Sequence, residues 1–479
     1  MTNLKRRDFL NVLGLGAVAL SLRPGKVHAA DAAGKPNVVY ILADDLGYGD
    51  AACYNKNAKI PTPNIDRLAA EGVCFTDAHS ASAVCSPTRY GILTGRYAWR
   101  TRLKRWVLGP YDPPLIEPGR LTVGALLKQH GYHTTCIGKW HLGWDWPSAD
   151  GRKVFDRPIA NGPTTRGFDT YFGTDVPNYP PYCFVENDRT VGLPTARKEK
   201  GDLNGSPGPM LPGWRFDAIL PKLAEKAVEY IGQRAAEGKP FFLYFPLTSP
   251  HEPIAPSPRF QGKSGINALA DFIMETDWAV GEALQALDRH GLAANTLVFF
   301  TSDNGHATYT GLPELQQHGH EPSGPWRGYK TDIWEGGHRI PFIARWPGRI
   351  KPNTVCDDTI CLNNLLATCA GVLGASLPDD AGEDSFSILG PLCGETPDKP
   401  SHEAVVHHSG PGVFAIRRGP WKLIEQSGSG TAGQLYNLQT DPAEKTNLYD
   451  KHPDVVKELH ALLERYKTSG RSRPSPGPA

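Results

Sequence analysis

Four runs of consecutive apolar residues divide the first two thirds of the chain: NVVYILADD (37–45), YHTTCIGKWH (132–141), PFFLYFPLTSPHEP (240–253) and NTLVFFTSDNG (295–305). Continuous apolar character, as opposed to strict alternation, is the pattern of strands buried on both faces of a largely parallel sheet. Between them lie amphipathic segments with helical spacing, TPNIDRLAAEG (62–72), LTVGALLKQHG (121–131) and LADFIMETDWAVGEALQALDRHG (269–291). Thr62 and Thr122 stand at N-cap positions, Gly72 and Gly131 at stops. This alternation predicts an α/β fold with a large, mostly parallel sheet sandwiched by helices, in which ligands gather at the carboxyl ends of the strands.

Those ends are where the polar residues accumulate. The four runs finish in Asp44 and Asp45, in Lys139 and His141, near His251, and in Asp303 and Asn304. Any one of these is more often a cap, a turn or a solvated rim residue; four complementary endings on four separate strands point to a site.

Past residue 375 the pattern changes. SLPDDAGEDSFSILGPL reads as a linker or crossing loop, followed by short strand-like runs EAVVHHS, VFAIRRGPWKLIE and GQLYNL. The segment HPDVVKELHALLERYK then sets Val455, Val456, Leu459, Leu462 and Leu463 at helical spacing. The expected division is a catalytic domain over 35–375, a smaller C-terminal α+β subdomain (antiparallel sheet plus helix) over 376–470, and a disordered tail over 471–479. The subdomain is expected to pack on the main sheet and wall one side of the cleft.

Composition narrows the function classes. Lys plus Arg (51) nearly cancel Asp plus Glu (50), and the charges are scattered. No broad field favours nucleic acid or an anionic membrane, so anion recognition must be local. Residues 1–29 read as a twin-arginine-like export signal: Arg6 and Arg7 precede Phe9 and Leu10, and an apolar stretch from Val12 to Leu22 is too short to form a stable membrane span. The expected location is periplasmic or extracellular. Nine cysteines include no C-x-x-C pair of the zinc-binding kind, and a disulfide among Cys356, Cys361, Cys369 and Cys393 is one possibility.

Should Asp44, Asp45 and Asp303 converge, they repel one another by about 4 kcal/mol per pair at an effective dielectric near 20, and a cation is required. Three carboxylates and the Asn304 carbonyl are hard oxygen donors that suit Ca2+ or Mg2+ and argue against zinc; calcium is favoured in an exported protein. Arg89, Lys139, His141, His251 and Lys330 supply positive donors for a tetrahedral oxyanion, sulfate or phosphate. Cys85, in CSPTR, falls at the start of a helix whose expected body is TRYGILTGRYAWR (88–100), with Pro87 in its first turn. The helix end and Arg89 would favour a thiolate there. A thiolate is nevertheless a poor partner for a hard ion, and an oxygen nucleophile fits the metal better.

With these residues on the page, the chain resembles the type I, formylglycine-dependent sulfatases of the alkaline phosphatase superfamily. The resemblance runs from about 36 to about 450, through ADDLGYGD (43–50), TPNIDRLAAEG (62–72), CSPTRYGILTGRY (85–97), GKWHLG (138–143), GFDTYFG (167–173), SPHEP (249–253), TSDNG (301–305) and GYKTDIWEGGHRIPF (328–342). It implies an alkaline phosphatase-like fold, and conversion of Cys85 to formylglycine by a formylglycine-generating or anaerobic sulfatase-maturating enzyme. It further implies that Asp44, Asp45, Asp303, Asn304 and modified Cys85 hold calcium, that Arg89 and Lys139 stabilise the aldehyde hydrate and the sulfate, and that Lys330 holds a sulfate oxygen. His251 would protonate the departing alcohol. His141 would take a proton from the second hydroxyl, expelling sulfate by elimination.

Two loops, 174–190 and 318–328, mix aromatic rings with polar groups and suit sugars. Asp175, Asn178, His320 and Arg327 are the expected specificity residues, and the expected substrate is a sulfated carbohydrate, with a lean toward hexosamine or galactose 6-sulfate. The rival readings are a phosphomonoester or phosphonate hydrolase on the same scaffold and a catalytically inactive, exported glycan-binding protein.

Overall fold

A computed structural model describes residues 34–201, 205–395, 400–426 and 432–474. The expected export segment, 1–29, lies outside the described residues, as does 475–479 of the expected tail. Ten strands among the described residues form the large sheet. They are β1 (Asn37–Ala43), β2 (Val73–Phe75), β3 (His133–Lys139), β4 (Thr170–Thr174), β5 (Val185–Glu186), β6 (Arg189–Thr190), β7 (Phe241–Pro246), β8 (Thr296–Ser302), β9 (Phe342–Arg345) and β10 (Thr354–Cys356). Their spatial order is β10-β2-β9-β8-β1-β7-β3-β4-β5-β6. The central five, β8-β1-β7-β3-β4, run parallel, while β9 and β5 pair antiparallel at either flank.

Strand β1 shows why the apolar runs are continuous. Val38, Tyr40 and Leu42 face one core, where α2 (Cys85–Thr94), α3 (Val123–Gln129) and α6 (Leu365–Leu373) pack. Val39, Ile41 and Ala43 face the other, under α1 (Pro63–Ala70), α4 (Ile219–Glu237) and α5 (Ala268–Arg289). With both faces covered, charged side chains are disfavoured until the strand ends. Register then aligns the endings: Ala43 lies beside Ser302, Leu42 beside Pro246, and Lys139 beside Thr174.

Several sequence expectations shift by a turn. Thr122 caps α3 by accepting from Ala125 N at 3.0 Å. Thr62 makes no such bond; its hydroxyl accepts from Ala52 N instead, and Pro63 opens α1. Helix α2 stops at Thr94 and does not run on to Arg100, because Gly95 takes a left-handed conformation (φ +64°) at its end. All nine cysteines are free thiols, so the possible disulfide among Cys356, Cys361, Cys369 and Cys393 is not formed.

The C-terminal region forms a four-stranded antiparallel sheet of β11 (Val405–His408), β12 (Phe414–Arg418), β13 (Trp421–Ile424) and β14 (Gln434–Asn437). The run VFAIRRGPWKLIE is a hairpin, not one strand, because the chain reverses at Gly419-Pro420. Helix α7 (Pro453–Thr468) covers it, burying Leu459, Leu462, Leu463 and Tyr466 against Ile416, Leu423 and Leu435; each buried leucine contributes about 1.5–3 kcal/mol. This small sheet reaches the large one through its loop ends. Ala83 N donates to His408 O at 2.9 Å, and Gly410 N donates to Thr331 O at 3.0 Å. Lys35–Ala479 is one compact unit.

Candidate active site

The strand ends converge. Ligand-capable atoms of Asp44, Asp45, Cys85 and His251 all lie within 4.8 Å of one another. Asp45 N donates to Asp303 Oδ1 at 3.2 Å, and Asn304 Nδ2 donates to Asp45 Oδ1 at 2.8 Å. All of these side chains are buried. Gly305 completes the turn after β8 by resting on the one-turn helix Glu335–His338: a Cβ there would come within 1.9 Å of Gly336 O. That close approach is why the D-N-G turn and the E-G-G segment occur together.

Each carboxylate is matched by a cation. Lys139 Nζ donates to Asp44 Oδ2 and Lys330 Nζ to Asp45 Oδ2, both at 2.7 Å, while Arg89 Nη2 donates to Asp303 Oδ2 at 2.7 Å. Burial pushes the Asp303 carboxyl up to about 6, reinforced by the charge of Asp44. Burial opposes the charge of Asp45 as well, but Lys330, then His251 and Lys139, hold its carboxyl well below the usual range. Burial works against the Lys330 ammonium, yet Asp45 raises it well above its ordinary value, so it remains a cation.

Two buried oxygens in this cluster accept no hydrogen bond, Asn304 Oδ1 and Asp44 Oδ1, the latter facing Arg89 Nη2 at 3.5 Å. Leaving such atoms unsatisfied costs about 1–3 kcal/mol each, more when charged. Converging hard oxygens with open lone pairs fit a divalent cation bound through oxygen.

Cys85 is the first residue of α2 and is almost wholly buried. Burial pushes its thiol up to about 11, prevailing over the lowering effects of Lys139 and Lys330. The activated thiolate that the helix start suggested is therefore disfavoured, because desolvation outweighs dipole and cations. At neutral pH the unmodified side chain is a protonated thiol and a weak nucleophile.

Two imidazoles flank the cluster, and their hydrogen bonds determine their tautomers. His141 Nε2 faces Leu108 O at 3.0 Å, and a carbonyl can only accept. The proton is thus on Nε2, leaving Nδ1 with an open lone pair and no partner. By the same argument His251 donates from Nδ1 to Glu252 O at 2.7 Å, and its Nε2, 3.8 Å from Asp45 Oδ2, carries the lone pair. Burial, then Lys139, holds both rings well below the usual imidazole range, so both are neutral.

Four of the ten described non-glycine residues with positive φ lie at or beside the cluster. Asp45 (φ +69°), Trp106 (+58°), His141 (+52°) and Thr331 (+80°) all hold left-handed conformations without being glycine. Each such residue costs on the order of 1–3 kcal/mol and persists only where its surroundings over-determine it.

The expected specificity residues all have partners within the chain, and Arg327 is exposed. Asp175 is half-buried; Oδ1 accepts from His141 N at 3.1 Å and Trp144 Nε1 at 3.2 Å, and desolvation pushes its carboxyl up to about 6. It braces the His141 loop. His320 is wholly buried, with Nε2 on Asp50 Oδ1 at 2.8 Å and Nδ1 accepting from Lys59 N at 3.1 Å. Arg327 donates to Glu444 O at 2.7 Å and stacks on Trp334, 3.8 Å from the ring centroid. Asn178 donates to Glu252 Oε1 at 3.0 Å but leaves Oδ1 without a partner. Two residues escaped the sequence reading. Tyr309 accepts from Lys330 Nζ at 3.0 Å, and Tyr179 lies edge-on to His141 at 5.9 Å. Tyr179 sits in a loop whose aromatic content was the available signal; Tyr309 lies in a stretch with no such pattern.

Comparison with known proteins agrees with this geometry. The family model described as Sulfatase matches residues 36–375, and one described as N-sulphoglucosamine sulphohydrolase, C-terminal, matches 327–469. The chain is 37% identical to an N-acetylgalactosamine-6-O-sulfatase of Bacteroides thetaiotaomicron, over 91% of this chain and 93% of that one. It is 33% identical to bovine (Bos taurus) arylsulfatase A, over 93% and 90% respectively. A solved structure from work on the metabolism of multiple glycosaminoglycans by Bacteroides thetaiotaomicron superposes with a TM-score of 0.82 at 35% identity, covering 91% of this chain and 99% of that one. A Pseudoalteromonas sulfatase superposes with a TM-score of 0.72 at 26% identity, covering 92% of each. The chain belongs to the sulfatase family and is a hydrolase of sulfuric esters.

Proposed function

We propose that the protein is an exported carbohydrate sulfatase that removes the 6-O-sulfate of a hexosamine or galactose residue, using formylglycine made from Cys85 and a calcium ion. The observation that carries this reading is the meeting of Asp44, Asp45 and Cys85 within 4.8 Å, with oxygens on Asp44 and Asn304 that accept no hydrogen bond. Sulfatases generally use formylglycine and a divalent metal. The substrate assignment is supported by relatives named for N-acetylgalactosamine 6-sulfate, including one from dog (Canis lupus familiaris) at 32% identity over 84% of this chain and 74% of that one. The basic and apolar pattern of residues 1–29 supports export, and a maturating enzyme of the formylglycine-generating or anaerobic class is the implied partner.

Asp44, Asp45, Asp303 and Asn304 would hold the ion, with an oxygen of modified Cys85 beside them. Hydrated formylglycine supplies an oxygen nucleophile for sulfur and a second hydroxyl whose deprotonation releases the sulfate. The remaining work falls to the chain. Arg89, Lys139 and Lys330, now hydrogen-bonded to Asp303, Asp44 and Asp45, would neutralise sulfate oxygens, while an ion held by the carboxylates would supply the positive charge those oxygens need. His141 has its lone pair on Nδ1, the form needed to accept a proton. His251 presents a lone pair on Nε2 and must gain a proton there to act on the leaving alcohol; burial keeps it neutral, aided by the Lys139 and Lys330 charges, and a sulfate anion in the site would offset those charges.

Peptide mass spectrometry across residue 85, on protein from its native host, tests the nucleophile: an aldehyde is expected, and complete retention of thiol would sink it. A panel of position-defined sulfated monosaccharides tests the substrate, with the 6-sulfates of N-acetylgalactosamine, N-acetylglucosamine and galactose expected to be turned over. Paired sulfate and phosphate esters of one phenol test the reaction; faster phosphate cleavage would count against it.

A further inference from the structure

Trp106 is 50% exposed and Tyr309 55% exposed, and both stand against the Lys330–Thr331 segment. Tyr309 meets it through its hydroxyl on Lys330 Nζ. Trp106 meets it over Gly410, where an added Cβ would lie 3.0 Å from Trp106 Cζ3 and 3.1 Å from Thr331 Cβ. The backbone holding Trp106 is tied to the reacting centre on both sides: Trp106 N donates to Gly410 O at 2.7 Å, and Leu108 accepts from His141 Nε2 while its own N–H donates to Ser86 Oγ at 3.2 Å. The indole is thus held open to solvent, on a strained left-handed residue, two positions from the His141 anchor.

Its neighbour Arg105 is exposed and makes no hydrogen bond or ion pair among the described residues. Gly412 passes close beneath it, so that a Cβ there would sit 3.3 Å from Arg105 Cβ. An open aromatic face beside an unpaired guanidinium matches two features of an anionic polysaccharide. Pyranose C–H groups pack on an indole, and carboxylate or sulfate accepts from guanidinium.

We infer that Arg105 and Trp106 form a leaving-group subsite: Trp106 is the platform for the sugar linked to the sulfated residue, and Arg105 receives an anionic group carried by that sugar. This rests on the carbohydrate 6-sulfatase reading. It makes the enzyme selective for a sulfated residue at the end of an anionic glycan over the same residue as a free monosaccharide.

The test compares kcat/KM for free N-acetylgalactosamine 6-sulfate with that for a uronic acid-containing glycosaminoglycan tetrasaccharide bearing the same residue at its non-reducing end. The wild-type enzyme is expected to favour the tetrasaccharide. That preference should fall about tenfold in Trp106→Ala and recover largely in Trp106→Phe. In Arg105→Ala it should fall severalfold and lose part of its dependence on salt, with partial recovery in Arg105→Lys. Because Arg105 is a solvent-exposed side chain, its variants keep the test valid even if Trp106→Ala fails to fold. No tetrasaccharide preference in the wild type, or a preference within twofold of wild type in both alanine variants, overturns the subsite while leaving the 6-sulfatase reading standing. Aldehyde-bearing enzyme that cleaves neither compound, yet cleaves another sulfate ester, overturns the 6-sulfatase reading and the subsite with it.

Discussion

Two buried ionic clusters lie in this molecule, and they differ in one decisive respect. The first joins Asp44, Asp45 and Asp303 to Arg89, Lys139 and Lys330 at the strand ends. The second joins Asp77, Glu335 and Glu444 to Arg339, Arg417 and Lys422 where the small sheet meets the large one. Each sets three carboxylates against three cations. Both also group metal-capable atoms, the second through His79, Glu335, His338 and His407. In the second, however, Lys422 Nζ sits 3.0 Å from both Glu335 Oε1 and His338 Nε2, filling the place an ion would take. In the first, Asp44 Oδ1 and Asn304 Oδ1 are left open beside Cys85. Charge balance is common to both, and the second also leaves buried atoms without a hydrogen bond, both ring nitrogens of His407 and Glu444 Oε1, the latter 2.9 Å from Lys422 Nζ; a cysteine at a helix start beside the open oxygens belongs to the first alone. The second cluster reads as a structural joint.

The sharpest way to break this contrast is at Cys85. Cys85→Ala should lower turnover of a sulfate ester by at least about 10^4-fold with an unchanged circular dichroism spectrum and melting point; turnover near the wild-type rate would refute its role. Removing divalent ions by chelation should come next, suppressing activity at least about 100-fold. Calcium added at a hundred times its Kd should restore activity and stabilise the fold by about 2.7 kcal/mol. Chelated protein that keeps full activity and the same melting point would show the first cluster to be structural too.

A pair of lysine variants separates the clusters directly. Lys422→Met strands Glu444 without a cation, leaves Glu335 to Arg339 and Arg417, and should cost about 3–5 kcal/mol in urea unfolding. Lys139→Met in calcium-loaded protein should cost far less stability while lowering kcat/KM by two to three orders of magnitude. Equal stability losses in both would erase the distinction.

Acid should act on the second cluster and its surroundings as well as on His141 and His251 at the first. Burial holds His338 and His407 well below the usual imidazole range, His402 down to about 3 and His408 to about 4. Between those values and the unfolded value of about 6.5 the unfolded chain binds protons that the folded chain does not. Stability is therefore full above pH 6.5 and declines as the pH falls below it, by about 1.4 kcal/mol per pH unit for each such group. A flat profile of unfolding free energy between pH 7 and pH 5 would contradict this.

The smallest effect is expected at Thr331, whose φ of +80° is clamped by Thr331 N on Ala83 O and Gly410 N on Thr331 O. Thr331→Gly should relieve strain and shift stability by no more than about 1 kcal/mol, while loosening Lys330 enough to reduce kcat/KM severalfold. A large loss of stability would mean that the threonine side chain, not the backbone conformation, matters there.

The apolar runs, and the acidic and basic residues that end them, were legible in the chain because burial on both faces of a strand disfavours charged side chains until the strand stops, while tolerating hydroxyls such as those of Thr134 and Thr135. That constraint places Asp44, Asp45, Lys139, Asp303 and Asn304 in the sequence and in space alike. The partners of loop residues obey no such rule. Composition marked Asp175, His320 and Arg327 as candidates for a ligand; that they also bond to His141 N, Asp50 and Glu444 O was not legible there. Tertiary packing left Trp106 and Tyr309, which no periodicity marked, facing solvent beside Lys330. Periodicity reports which side of an element is buried, a local property repeated along the chain. Which polar group finds a partner depends, for Asp175, His320 and Arg327, on contacts between positions 34 to 270 residues apart, and only the folded chain decides those.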